Sequence, residues 1–110
     1  MPENPDIEKR ESLRTSLGCQ LSVSSKDMHA LPVTALNVSA SGIYCVSTRS
    51  IGELTRVDLL LRVDDGEDIP ARAVVIREEQ LSDGSYGLGL FFTKISEEGR
   101  AIIIDYTFDH

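Results

Sequence analysis

Two short patterns hold the residues best suited to bind a ligand. Lys9, Arg10 and Arg14 place three of the chain's eleven bases within six positions, and the two arginines form Arg-x-x-x-Arg. A guanidinium is always charged. Its parallel N–H donors match two phosphate oxygens, or O6 and N7 of a guanine, and its plane stacks on a base. The second pattern is Asn37-Val38-Ser39-Ala40-Ser41-Gly42, or Asn-x-Ser-x-x-Gly. It offers an amide, a hydroxyl and a position where a backbone can pass without a side-chain clash. Each pattern also has an ordinary explanation: a solvated charged face for the first, a plain turn for the second. Arg77 is a further candidate. It either approaches a ligand or forms a surface ion pair with Glu78 or Glu79.

Catalysis has little to work with. Ser39 or Cys45 as a nucleophile would need a histidine base, and only His29 and His110 exist. No Gly-x-Ser-x-Gly, His-Glu-x-x-His or P-loop occurs, so no catalytic residues and no enzyme are expected. Cys19 and Cys45 form no Cys-x-x-Cys and have no nearby histidine pair. They are expected to be free, largely buried thiols, with no metal site. The tract Asp64-Asp65-Gly66-Glu67-Asp68 lacks the spacing of a calcium loop and reads as a hairpin turn.

The elements that must position these residues are mostly strands. Short strands are expected over Leu17–Ser25, Val33–Ser39, Ile43–Ser47, Leu54–Val63, Ile69–Glu79 and Tyr86–Thr93. The fourth is clearest: Val57, Leu59, Leu61 and Val63 alternate with Arg56, Asp58, Leu60 and Arg62. Gly87 and Gly89 share one face of the sixth, where sheet closure or a nearby helix is the expected reason. Ser96 can cap a helix whose first turn holds Glu97 and Glu98, and Ala101, Ile102, Ile103 and Tyr106 have helical spacing. The sum is an all-β domain: a six-stranded antiparallel β-barrel with a short C-terminal α-helix. The expected limits are a flexible tail over 1–9 and a single domain over 10–110. Within that domain lie an arm (10–16), a barrel (about 17–93) and a helix (about 96–107).

Composition narrows the partners. The chain has 110 residues and a net charge of -7. That acidity argues against DNA or RNA polymers and against an anionic membrane surface, both of which need a basic excess. It leaves room for a small anion, which needs only a local basic cluster. No apolar run approaches the length of a membrane span, and the polar first eleven residues do not read as a signal peptide. No membrane insertion and a cytoplasmic location are expected.

Together, the two patterns on an all-β chain resemble the PilZ domain family, the bacterial receptor module for cyclic di-GMP. That family's signature is Arg-x-x-x-Arg in an N-terminal arm, followed by Asp/Asn-x-Ser-x-x-Gly. Here these are Arg10 and Arg14, then Asn37, Ser39 and Gly42. Val74-Val75-Ile76-Arg77 and Tyr86-Gly87-Leu88-Gly89-Leu90-Phe91 are similar to the family's closing strands, and the likeness covers roughly residues 8–108. The resemblance implies a PilZ-like split barrel and a ligand, cyclic di-GMP, with no other cofactor. It implies contacts from the five signature residues and an effector protein as partner. Weaker contacts are expected from Lys9, which stands where many members carry another arginine, and from Arg77. The family's usual outputs are motility, exopolysaccharide and adhesion. The alternative is a PilZ-like protein-interaction module that has lost nucleotide binding.

Overall fold

The computed structural model describes residues 19–64 and 66–109. The expected tail and arm, and with them Lys9, Arg10 and Arg14, lie outside the described residues, as does Leu17. Six strands and one helix follow in order: β1 (Gln20–Ser25), β2 (Met28–Val38), β3 (Gly42–Ser47), β4 (Arg56–Arg62), β5 (Ile69–Gln80), β6 (Tyr86–Ile95) and α1 (Glu97–Asp109). All neighbours pair antiparallel and close into a barrel of order β1-β2-β3-β6-β5-β4. Closure leaves no sheet edge open to pair with another chain. Inward side chains of every strand fill the interior, among them Val23, Cys45, Leu61, Val75 and Leu88, and Ile103 of α1 joins the same cluster.

The period-two pattern of β4 holds throughout, with Val57, Leu59 and Leu61 buried and Arg56, Asp58, Leu60 and Arg62 exposed. Elsewhere the pattern breaks, and the breaks are β-bulges. Val38 pairs with Ile43 and Asn37 with Tyr44, but Ala35 pairs with Cys45, so Leu36 is an extra residue in β2. Val75 pairs with Leu90 but Arg77 with Gly89, so Ile76 is an extra residue in β5. Arg72 pairs with Lys94 but Ala73 with Phe92, so Thr93 is an extra residue in β6. Each extra residue reverses which face the following side chains meet.

Two strand starts and one turn differ from expectation for reasons the structure shows, and β5 and β6 run on to Gln80 and Ile95, past the expected Glu79 and Thr93. β2 starts five residues early, because Lys26-Asp27 is a two-residue turn with Ser25 opposite Met28. The irregularity there is absorbed at Ala30 (φ 51°), whose amide donates to Ser24 Oγ at 2.8 Å. β4 starts late, at Arg56, because Leu54 takes a positive φ of 70° in a connection that β5 holds in place. In the acidic turn after β4 the positive φ falls on Asp64 (53°), not on Gly66, whose amide donates to Val63 O at 3.1 Å. α1 starts as expected. Ser96 Oγ accepts from the Gly99 amide at 2.9 Å, and a side chain at Gly99 would sit 2.7 Å from Ile69 Cγ2.

Both thiols are free. Burial pushes Cys45 up to about 12, and burial plus the charge of Asp64 pushes Cys19 up to about 11. Thiols held so far from ionisation are poor nucleophiles and poor metal ligands.

Glu78 ties the β3–β4 connection to the barrel. Its carboxylate accepts from Ser50 Oγ (2.6 Å) and from the Ile51 and Gly52 amides (2.8 Å each). Burial pushes this carboxyl up, but the three hydrogen bonds outweigh it and hold the group below its usual value of 4.5. A lowered folded value stabilises the fold above the unfolded value and ceases to do so as pH falls through the folded one. Glu78→Ala should therefore cost about 2 kcal/mol at neutral pH. In thermal melts the gap to wild type should narrow once the pH drops below the ordinary carboxylate range; a gap independent of pH would refute this role. Gly42 is a second test. A Cβ there would collide with the Leu90 carbonyl oxygen and lie 3.2 Å from Phe91 Cα. Both are backbone atoms of the paired strand β6, so Gly42→Ala should lower stability by about 1–3 kcal/mol with no ligand present. An unchanged melt would show that β3 and β6 can separate there at no cost.

Candidate functional site

Asn37 belongs outside the barrel only because of the bulge at Leu36. Ala35 points into the core, so strict alternation would turn Asn37 inward as well. The extra residue sends Val38 inward and Asn37 out. The bulge at Ile76 does the same for Arg77, which follows the buried Val75. The registers then put Asn37, Tyr44, Gly89 and Arg77 in one row across β2, β3, β6 and β5.

Ser39 and Gly42 bracket the turn that follows Asn37. The Ser39 amide donates to Gly42 O at 2.9 Å. Ser39 Oγ accepts from the Ser41 and Gly42 amides, at 3.3 Å each, and lies 3.1 Å from Ser41 Oγ. This hydroxyl therefore shapes the turn. Two further elements hold it: the Phe92 amide of β6 donates to Ser41 O at 2.9 Å, and Arg100 Nη1 of α1 donates to Ala40 O at 2.5 Å. Among the described residues the Asn37 side chain has no hydrogen-bond partner.

These residues line an open groove of about 280 Å³, with Asn37, Ser39 and Gly42 on one side and Ile76, Gly89 and Phe91 on the other. Phe91 is 48% exposed and Ile76 56%, a large apolar surface beside polar groups. Tyr44 crosses the adjoining wall and donates its hydroxyl to Glu79 Oε2 at 3.1 Å. Burial first, then that hydrogen bond and the charge of Glu79, raise the phenol above its usual value, so it stays a neutral donor. The crossing explains Gly87, where a Cβ would strike the Tyr44 hydroxyl. At this glycine a neighbouring side chain is the reason, in place of the expected helix or closure. Arg77 Nη2 lies 3.4 Å from Glu79 Oε1, and the Arg77 side chain is 70% exposed. Such an exposed pair is weak.

The entry of the chain into the barrel bears on the rest of the site. Gln20 lies opposite Thr34, so the backbone joins β1 three residues short of the Asn37 row, on the strand next to β2. Arg14 is five residues before Cys19 in sequence, a span of at most about 17 Å. Tyr44, Ile76, Phe91 and Arg100 were not singled out by the sequence patterns. Phe91 had a signal, being a large apolar residue on the solvent parity of its strand. Arg100 had none, because Ala40 is sixty positions away.

The PilZ domain family model matches residues 8–109. No curated protein matches the chain. Among solved structures, the Bacillus subtilis inhibitor of motility (MotI/DgrA) superposes with a TM-score of 0.71 at 18% sequence identity, covering 83% of this chain and 46% of that one. The chain thus spans less than half the length of that neighbour, and at this identity the likeness speaks for the fold. PilZ domains are a receptor and adaptor family, binding modules and not enzymes. With nearly its whole length matched, and with the barrel and terminal helix of that fold, this chain belongs to the PilZ domain family.

Proposed function

We propose that this domain is a receptor for cyclic di-GMP that signals through contact with a partner protein. The observation that carries the reading is the groove beside the Asn37–Gly42 turn. An unpartnered amide there lines the same groove as an exposed aromatic ring, on the same outer face as a weakly held arginine. A dinucleotide with two guanines and two phosphates suits that mixture. The amide addresses a guanine edge, the apolar wall receives a base, and arginines serve phosphate and Hoogsteen edge. Arg10 and Arg14 supply most of the positive charge in this reading, from a segment that joins the barrel next to β2. Lys9 and Arg77 add weaker contacts, the first because an ammonium lacks the guanidinium fork. Asn37 offers one carbonyl where an aspartate would accept from both N1–H and N2–H of guanine. That predicts a modest affinity.

Ligand binding would fix residues 10–16 against the barrel and so present a new surface. The fold shared with an inhibitor of motility makes control of motility the first output to examine, with the domain acting in the cytoplasm, where nucleotide second messengers reside.

Calorimetry on the purified protein should show heat of binding with tens of micromolar cyclic di-GMP; none would sink the receptor reading and favour a module that has lost its ligand. Arg14→Ala should weaken binding by about tenfold or more, the worth of one charge-assisted contact. Arg72→Ala, the same charge change elsewhere on the barrel, should leave it unaltered. Equal losses would mean that net charge and not the motif governs affinity.

A further inference from the structure

The outer face of β4, β5 and β6 carries a second groove, of about 580 Å³, lined by Lys26, Arg56, Arg72 and Lys94 with Asp58 as its one acid. Four of the eight bases among the described residues therefore line one concavity in a chain of net charge -7. Asp58 is 3.5 Å from Arg72, which leaves three positive charges without a counterion in the groove. A groove of the same size near the start of β1 makes the contrast: its one base, Arg62, is neutralised by Asp68 at 3.0 Å.

The charge concentration is built by the fold. Asp58, Arg72 and Lys94 form one row across β4, β5 and β6, with Arg56 opposite Val74 in the next. Lys94 reaches that face because of the bulge at Thr93: Phe92 is buried, so strict alternation would have aimed Lys94 inward. Burying an unpaired lysine is costly, and the extra residue avoids it.

We propose that this groove docks an acidic segment of a partner protein. Three uncompensated cations attract carboxylates, and Val74, half-buried on the outward parity of β5, offers one apolar contact to the aliphatic parts of the same segment. A flat bilayer cannot enter a concavity. A long nucleic acid would meet the surrounding negative charge of the molecule, whereas a short acidic segment engages the groove alone. The groove also adjoins the first site: Gly42, Phe91, Val74 and Arg56 make one row across β3, β6, β5 and β4. A partner seated here would lie within one row of the turn region, yet the inference stands without any nucleotide bound.

Fluorescence anisotropy with a labelled peptide rich in Asp and Glu tests it on the full chain. Binding should be measurable at low salt and weaken steeply toward physiological salt. Arg56→Glu and Lys94→Glu should each lower affinity about fivefold or more, while Arg49→Glu, the same charge change outside the groove, should alter it less than about twofold. Melting curves check folding, and Arg56→Gln with Lys94→Gln serves if a reversal unfolds the barrel. Absence of peptide binding at low salt would overturn the proposal. So would an equal loss from Arg49→Glu, or tighter binding of duplex DNA or of phosphatidylserine vesicles than of the peptide.

Discussion

Barrel closure leaves each strand only two directions for a side chain, core or solvent, and three extra residues decide which one the polar groups take. Leu36, Ile76 and Thr93 each interrupt the pairing of a strand by one position. Each interruption follows a buried apolar residue and precedes a polar one: Ala35 before Asn37, Val75 before Arg77, Phe92 before Lys94. Without the bulges these strands would drive an amide and two cations into a core of Val, Leu and Ile, at a cost of several kcal/mol each. A bulge removes that conflict while leaving the core residues in place. The same local device thus aims the groove at Asn37, the arginine in its row and the basic groove beyond it.

A side chain that points outward must still be held in a fixed place, and here the turn after β2 matters most. Its own serines define its shape, while β6 and α1 fix it to the body of the barrel through Phe92 and Arg100. Gly42 completes the arrangement, because only a residue without a side chain lets β3 lie against the Leu90 carbonyl. The barrel requires that glycine whatever binds beside it, and Ser39 likewise has a structural duty in the turn. A motif that looks like a set of ligand contacts is therefore partly the means of holding one amide, that of Asn37, in position.

This explains which parts were legible in the sequence. Strand count, the capped terminal helix and the free thiols follow from local rules: alternation, turn residues, a serine before a helix, an absence of ligand spacing. The alternation of β4 was readable from Arg56 to Arg62 because no bulge interrupts it, although the strand starts two residues later than the expected Leu54. The start of β2 was not readable, since Leu31-Pro32 suggests a continuing loop, whereas the structure pairs Pro32 with Ser22 of β1 and absorbs the irregularity at Ala30. Bulges are invisible to a period-two reading because they are departures from it. They become readable only by asking why a polar residue stands where alternation calls for an apolar one. The reason for Gly87 lies in Tyr44, on another strand, and no local pattern contains it.

Charge is where the whole-chain view and the local view differ most. A net charge of -7 is a sum over the whole surface, whereas salt limits the reach of any one exposed group to roughly 10 Å. Within that distance the field belongs to the nearest few side chains. On this barrel the bases are unevenly matched: Arg62 with Asp68 and Arg77 with Glu79 form exposed pairs, while Arg56 and Lys94 share a groove with one acid already engaged by Arg72. A long polyanion integrates over the whole surface and is repelled. A ligand or peptide segment the size of one groove samples only the local excess and is attracted. The acidity of the chain therefore selects against large anionic partners without weakening small ones, and it confines attraction to the faces that the bulges have made polar.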